Sequence, residues 1–231
     1  MHKYIVLFLI VTMTACASSR GFDRGNLRTQ ITDQKVVTEE DIKKALELKP
    51  QLPAPFKLAV FFAPPKSGWR YGSSWTWTGE DKDVLLQMKA DLIKKNILSD
   101  MFVLPDSIFE GTDNRAIRLA AARAGADAVL IVNGVSSVDR YNNGWGGTYI
   151  LIITPFFVPG TIADGLVMIN AVMWDVRNQY LYLSAEAEGT AKQTKPAFFI
   201  NENHLINDAR SNAVVALRKE LFMRLDAMGS K

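Results

Sequence analysis

The chain has 231 residues, of which 22% are charged and 48% hydrophobic, and its formal net charge is +3. This composition is typical of a globular protein and excludes a disordered chain, and the length suits one domain with a substantial core. The basic residues are scattered, whereas a nucleic-acid-binding protein would concentrate them in a stripe or patch. We therefore expect no nucleic-acid partner.

The first sixteen residues have the pattern of an export signal. His2 and Lys3 form a charged start, residues 4–11 form an apolar run, and small residues lead to Cys16. A permanent transmembrane helix needs about 20 apolar residues, so this run is too short to span a bilayer. We therefore predict a signal peptide over residues 1–15 that is removed from the mature protein.

The end of this signal carries a second pattern. Residues 13–16, Met-Thr-Ala-Cys, resemble the lipobox of bacterial lipoproteins, in which the cysteine is acylated and becomes the new N-terminus. Cys16 is the only cysteine, and a lone thiol in an oxidising compartment has no disulfide partner. Ala17 in place of aspartate resembles lipoproteins sorted to the outer membrane. The alternative is an ordinary A-x-A cleavage site that releases a soluble periplasmic protein beginning at Ser18.

The segment after the cysteine is polar and has little periodicity. We predict that residues 16–37 form a flexible tether from the lipidated cysteine. Thr38 followed by three acidic residues predicts a helix start, with Ile42, Ala45 and Leu46 on one apolar face.

An α/β pattern follows the tether. Residues 57–62 and 126–132 are continuous apolar runs, typical of strands that are buried on both faces. Between them the sequence predicts a helix over 81–96 capped by Thr78 or Gly79, a strand over 101–104, and a helix from Asp113 to Ala124. This order predicts layers of helices packed on a sheet.

The second half of the chain changes character. Residues 167–176 and 180–190 predict an antiparallel hairpin, and residues 206–228 predict an amphipathic helix packed on the sheet. The predicted fold class is α/β, a mixed sheet with helices packed on it that includes this hairpin and the C-terminal helix. We place all of it in one periplasmic domain over residues 38–231.

Catalytic candidates are few. His204, the only histidine outside the signal, lies in a polar setting before the last helix and is interpreted as a surface or capping residue. Glu186 and Glu188 lie on one strand face about 7 Å apart, a spacing that glycosidases use, but the alternation of the strand already explains it. We expect no catalytic residue, no cofactor and no metal site.

Aromatic residues in glycine-rich, polar segments are the strongest binding candidates. They are Trp69, Tyr71, Trp75, Trp77 and Trp145. Both segments follow predicted parallel strands, whose carboxyl ends share one edge of a sheet, so the rings could form one partner-binding surface. The alternative is that the rings fold back as a lid on the core, since tryptophan is usually well buried.

Residues 149–158, Tyr-Ile-Leu-Ile-Ile-Thr-Pro-Phe-Phe-Val, form an unusual apolar run. We interpret the run as a strand extended by a hydrophobic loop that covers the core. The alternative is a segment that inserts into a bilayer or docks on a neighbouring subunit.

Four stretches together support a family resemblance: residues 56–62, 118–134, 170–177 and 184–190. With the lipobox, they resemble the periplasmic α/β domain of curli-transport-type lipoproteins. The layout is also similar to rhombotarget-type lipoproteins and penicillin-binding-protein activator lipoproteins. The resemblance implies a non-enzymatic protein. A curli-type channel uses two β-hairpins per subunit, whereas this chain offers one apolar candidate segment that is broken by prolines.

These observations predict a non-enzymatic lipoprotein on the periplasmic face of the outer membrane. Its partners would be the membrane, through the acyl chains, and an envelope protein or peptidoglycan. The alternative function is a subunit of an oligomeric outer-membrane secretion or channel complex.

Overall fold

The computed structural model describes residues 18–32, 38–67, 75–105, 113–150 and 153–229. Cys16 and the predicted signal peptide, as well as Trp69 and Tyr71, lie outside the described residues. The strands are β1 (Phe56–Phe62), β2 (Lys66–Ser67), β3 (Leu98–Val103), β4 (Ala128–Asn142), β5 (Thr161–Asp175) and β6 (Leu181–Lys195). The α-helices are α1 (Arg24–Ile31), α2 (Glu39–Glu47), α3 (Gly79–Leu86), α4 (Lys89–Lys94), α5 (Asn114–Arg123) and α6 (Glu202–Gly229). Three 3₁₀-helices span Gly144–Ile150, Thr154–Phe156 and Ala197–Phe199.

The strands form a mixed sheet in the order β3-β1-β4-β5-β6, and the short β2 also pairs with β4. β1 runs parallel to β3 and β4, with α3 and α4 before β3 and α5 before β4. β5 runs antiparallel to both β4 and β6. The predicted α/β class, with its mixed sheet, hairpin and C-terminal helix, is therefore confirmed. The helix predicted over 81–96 is divided into α3 and α4.

Both faces of β1 are buried because helices cover the sheet on each side. Leu58 and Val60 pack in a core that includes residues of α3, α4 and α6. Ala59 and Phe61 point to the opposite face and pack with α5. A strand buried on both faces requires a continuous apolar sequence, which is the pattern of residues 56–62.

The long helix α6 approaches β6 very closely at Gly189. A Cβ atom built on Gly189 would lie 2.1 Å from the carbonyl oxygen of Ala209 and 2.3 Å from the amide nitrogen of Ala213. Only a glycine leaves room for this backbone contact. It holds the helix against the antiparallel half of the sheet.

The end of β4, the start of β5 and the end of β6 meet at one end of the sheet. Asn142 pairs with Thr161, and Thr161 pairs with Lys195, so the end of β4, the start of β5 and the end of β6 are in register. The loop over residues 143–160 and the segment after β6 therefore leave the sheet side by side. We call this end of the sheet the distal end.

The N-terminal segment differs from the predicted tether. Within residues 16–37, Arg24–Ile31 forms α1, whose Leu27 and Ile31 are buried against Val135, Leu166 and Met168 of β4 and β5. The two apolar side chains are four residues apart, so they occupy one face of a helix that is otherwise polar. The sheet supplies the apolar surface on which these two side chains of the short helix are buried.

Candidate functional site

The predicted aromatic residues separate into two environments. Trp75 is only 8% exposed, and its ring packs edge-on against Trp77 with centroids 4.7 Å apart. The Trp77 indole Nε1 donates a 2.7 Å hydrogen bond to the Ala63 carbonyl oxygen. These two rings match the alternative of a lid on the core. Trp145, by contrast, is 67% exposed.

A buried ion pair fixes the Trp75 side of the domain. Arg210 of α6 and Asp81 of α3 lie 3.0 Å apart, and both side chains are almost fully buried. The Arg210 guanidinium also lies 5.9 Å from the centre of the Trp75 ring. A buried pair needs further hydrogen bonds, which Arg210 finds at the Thr76 carbonyl and the Asn207 side chain. This cluster therefore joins α6 to the start of α3.

Trp145 belongs to an exposed apolar surface at the distal end. We call this surface the distal patch, and its members are Trp145, Ile153, Phe156, Phe157, Phe198 and Phe199. All six are exposed, Phe157 at 78% and Trp145 and Ile153 at more than 65%. Within the described parts of the chain, every Trp or Phe that is exposed lies in this patch. Isolated exposed apolar residues are ordinary, whereas a contiguous group marks a contact surface.

The patch residues lie in or directly beside three 3₁₀-helices that contact one another in turn. The Phe156 and Phe198 rings are stacked with centroids 4.2 Å apart and planes within 3°. Arg140, near the end of β4, donates a 2.6 Å hydrogen bond to the Ala197 carbonyl oxygen. These contacts join the loop after β4 to the segment after β6.

The loop that presents Trp145 is held by its own polar groups. The Asn143 side chain accepts from the Trp145 amide at 2.9 Å and donates to the Pro159 carbonyl at 2.9 Å. The Thr148 hydroxyl donates to the Trp145 carbonyl at 2.7 Å, and the Thr154 hydroxyl donates to the Thr148 carbonyl at 2.5 Å. The interpretation of residues 149–158 as a cover for the core does not hold for Ile153 and Phe157, which are exposed.

The N-terminal segment is clamped close to this patch by Asp139 of β4. Its Oδ2 atom accepts hydrogen bonds from the Ser19 hydroxyl at 2.5 Å, the Arg20 amide at 3.1 Å and the Gly21 amide at 3.0 Å. Asp139 stands directly opposite Asp164 on β5, a like-charge pair that requires compensation. The N-terminal donors provide it for Asp139, and Tyr141 and Lys192 provide it for Asp164.

The two glutamates whose spacing resembles that of a glycosidase pair each form an ion pair with an arginine. Glu188 lies 2.9 Å from Arg24 and Glu186 lies 2.9 Å from Arg28, both arginines being on α1. The hydrogen bond to Glu188, together with its charge, raises the pKa of the Arg24 guanidinium. The exposed His204 lies in the first turn of α6, where its amide donates to the Asn201 side chain at 3.2 Å.

In the described ranges, no three His, Cys, Asp or Glu side chains are grouped so that they could hold a metal ion. None of the helices in those ranges combines the length and the hydropathy needed to cross a bilayer.

Sequence reasoning missed Asp139, Phe198 and Phe199 as members of this region. Two adjacent phenylalanines after Pro196, between a polar strand and a polar helix start, were a usable signal, because such a position offers little core to bury them. No local pattern marks Asp139, whose partners are about 120 residues away in the chain.

Comparison with known proteins gives distant structural likenesses. No family model matches the chain, and no curated protein sequence matches it either. The structure is similar to a PelC dodecamer from Paraburkholderia phytofirmans, with 18% identity over 77% of this chain and 91% of that one, at a TM-score of 0.34. It is also similar to a minor lipoprotein from Acinetobacter baumannii, with 11% identity over 77% and 95% of the two chains, at a TM-score of 0.39. A lipoprotein from Neisseria meningitidis shares 17% identity over 66% of this chain and 88% of its own, at a TM-score of 0.27. Likenesses at this level assign neither a family nor a function to the chain.

Proposed function

We propose that the chain is a non-enzymatic lipoprotein of the cell envelope, held at the periplasmic face of the outer membrane by acyl chains on Cys16. Its α/β domain works by binding an envelope protein or peptidoglycan. The lipobox-like residues 13–16 and Ala17 support the anchor and its address. The pairing of Glu186 and Glu188 with arginines supports binding rather than hydrolysis.

The observation that carries the binding role is the distal patch. Five aromatic rings stand exposed at one end of the sheet, beside a loop in which the side chains of Asn143, Thr148 and Thr154 are hydrogen-bonded. Of the aromatic residues predicted to contact a partner, Trp145 has the exposure that contact requires, whereas Trp75 and Trp77 lie against the core. Trp145 is accordingly the first of the predicted residues to test.

The anchor is tested by the intact mass of the mature protein and by membrane fractionation on a density gradient. We expect acyl chains on Cys16 and co-sedimentation with the outer membrane, because two or three acyl chains give stable anchoring. Cys16→Ser should abolish both results, and the matched control Ser18→Ala should change neither. A mature chain that starts at Ser18 without acyl chains would instead identify a soluble periplasmic protein.

The second candidate function is a subunit of an oligomeric export complex, favoured by the open edge of the sheet. Within the described chain, the fifteen-residue strand β6 pairs on one side only, with β5. Such an edge can receive a strand from a neighbouring subunit. The native mass of the acylated protein in detergent separates the two functions, since a uniform ring supports export and a monomer or dimer supports a tethered binding domain.

A further inference from the structure

We propose that the distal patch is a membrane-contact surface that seats the domain end-on against the lipid bilayer in which its own acyl chains are anchored. This inference rests on the proposed lipidation of Cys16, and it takes the lipid surface, instead of an envelope protein or peptidoglycan, as the occupant of the patch. The anchor and the patch are then two attachments to one membrane.

The length of chain between anchor and clamp places the membrane near the patch. Ser19 is hydrogen-bonded to Asp139, and it lies three positions after Cys16 in the chain. Three residues of extended chain reach at most about 11 Å. Asp139 is itself three residues from Asn142, where β4 ends, which is about 10 Å along the strand. An acyl group on Cys16 can therefore reach a lipid surface that lies at the level of the distal end.

The direction of the N-terminal segment agrees with this placement. After the clamp at Asp139, Arg24 pairs with Glu188 and Arg28 pairs with Glu186. Along β6 these partners lie progressively farther from Lys195, the strand end at the patch. The chain thus enters at the distal end and α1 runs away from it, so that the membrane-attached end of the segment points toward the patch.

A side-on orientation, with α1 against the lipid, fits the surface chemistry poorly. Asn26 and Thr29 on the exposed side of α1 are polar, and the half-exposed Arg24 and Arg28 are ion-paired with Glu188 and Glu186. The distal patch instead presents indole and phenyl rings, which favour the boundary between headgroups and acyl chains. Between the two surfaces that the short anchor can bring to the membrane, the patch is the apolar one.

The patch is also prepared for contact with lipid. Burying the loop would be costly if its polar groups lost water without finding other hydrogen bonds. The hydrogen bonds of Asn143, Thr148 and Thr154 inside the loop satisfy several of these groups in advance. The stacked Phe156 and Phe198 rings fix the two segments relative to each other. The exposed rings can enter the interface without rearrangement of the loops.

The test uses a unique introduced cysteine in the full-length acylated protein, where the thiol of Cys16 is already consumed. Phe157→Cys places a fluorescent label in the patch, and the matched control Met223→Cys places it on α6. Met223 is also an exposed apolar residue, at 50%. Leu205 of α6 packs near Gly165, four residues from the start of β5 at the distal end. Met223 is eighteen residues farther along α6, so it lies about 27 Å from Leu205. The control label is therefore far from the patch. Both proteins are reconstituted into phosphatidylethanolamine and phosphatidylglycerol vesicles, with and without bromine on the acyl chains.

We expect the label at residue 157 to lose about half or more of its emission in brominated vesicles, because interfacial groups lie about 5–10 Å into the headgroup and acyl boundary. The label at residue 223 should be unchanged. Equal quenching at the two positions, or none at either, would overturn the proposal. A change in emission at residue 157 without quenching, in a protein whose native mass is that of an oligomer, would identify contact with a second copy and would also overturn it. The intact mass of the same sample reports acylation separately; a chain without acyl groups removes the proposed anchor and this inference with it.

Discussion

At the residue scale, the tryptophans show that the packing around a ring decides its role. Trp75 and Trp145 both follow polar and glycine-rich sequence, yet one is buried and the other exposed. The Trp75 ring lies on Gly134 of β4, where a Cβ atom would approach the ring to 2.8 Å. The strand leaves space for the ring at this position. Trp75 is therefore part of the core, because the missing side chain of Gly134 leaves room for its ring.

Alanine substitutions separate these two roles. We expect Trp75→Ala to lower the free energy of unfolding by about 3–5 kcal/mol, because it removes a large buried ring and leaves a cavity. Trp145→Ala, as the matched exposed change, should stay within about 0.5 kcal/mol of the parent. Urea denaturation of the two variants measures both values. Equal losses in the two proteins would contradict the burial difference.

At the element scale, helix α1 depends on the sheet for its position. Its eight residues are fewer than an isolated helix needs for stability in water. Leu27 and Ile31 attach it through apolar contacts, and the Asp139 carboxylate holds the residues that precede it. Apolar packing and a polar clamp act on the same short segment. Loss of the clamp should therefore loosen the segment while the sheet remains intact.

Asp139→Ala tests the clamp. We expect amide hydrogen exchange over residues 19–31 to accelerate roughly 5- to 150-fold, since the hydrogen bonds to this carboxylate contribute about 1–3 kcal/mol to holding the segment. Exchange in β5 should stay unchanged. Asp208→Ala, an exposed aspartate on α6, is the control and should leave residues 19–31 protected. Unchanged protection in the Asp139 variant would show that α1 is held by its apolar contacts alone.

At the scale of the whole molecule, the connector after α2 is fastened to the hairpin at the end opposite the patch. The Tyr182 hydroxyl accepts from the Gln51 amide at 2.7 Å and the Leu52 amide at 3.1 Å, and it donates to Asp175 at 2.9 Å. Burial, opposed by the hydrogen bonds from the connector and assisted by the bond to Asp175, raises the pKa of Tyr182 above its ordinary value. The folded protein therefore favours the neutral phenol.

This shift predicts an alkaline loss of stability. The contribution of Tyr182 is fully present below the unfolded-state pKa of about 10 and is lost as pH rises through the higher pKa of the folded state. We expect Tyr182→Phe to be about 1–3 kcal/mol less stable at pH 7, because the connector amides lose their acceptor. Its stability should fall less than that of the parent above about pH 10. Urea midpoints at pH 7 and above pH 10 measure the effect. Tyr180→Phe, which removes the neighbouring hydroxyl, should retain the pH dependence of the parent.

Much of the fold was predictable because helix caps and apolar periodicity, which are local patterns of sequence, determine where most helices and strands form. The caps at Thr38, Thr78 and Asp113 are present, and the first two form complete capping boxes. The strand extents were predicted less well. The first residues of β5 and the last residues of β6 include polar and small side chains, such as Asp164 and Lys192, which carry no alternating apolar signal. Their pairing across the sheet, rather than their own sequence, makes them strands.

The sequence by itself determined the order of the main strands and helices and the apolar faces of β1 and α6, because each depends on residue types at short spacing, and on the same basis it predicts an export signal that ends at the single cysteine. Tertiary structure alone decided which aromatic rings are exposed, that Phe198 stacks on Phe156, and that Ser19 is clamped by Asp139 beside the patch. These features join segments that are far apart in the chain. Their positions follow from the packing of elements, a property that no local window of sequence contains.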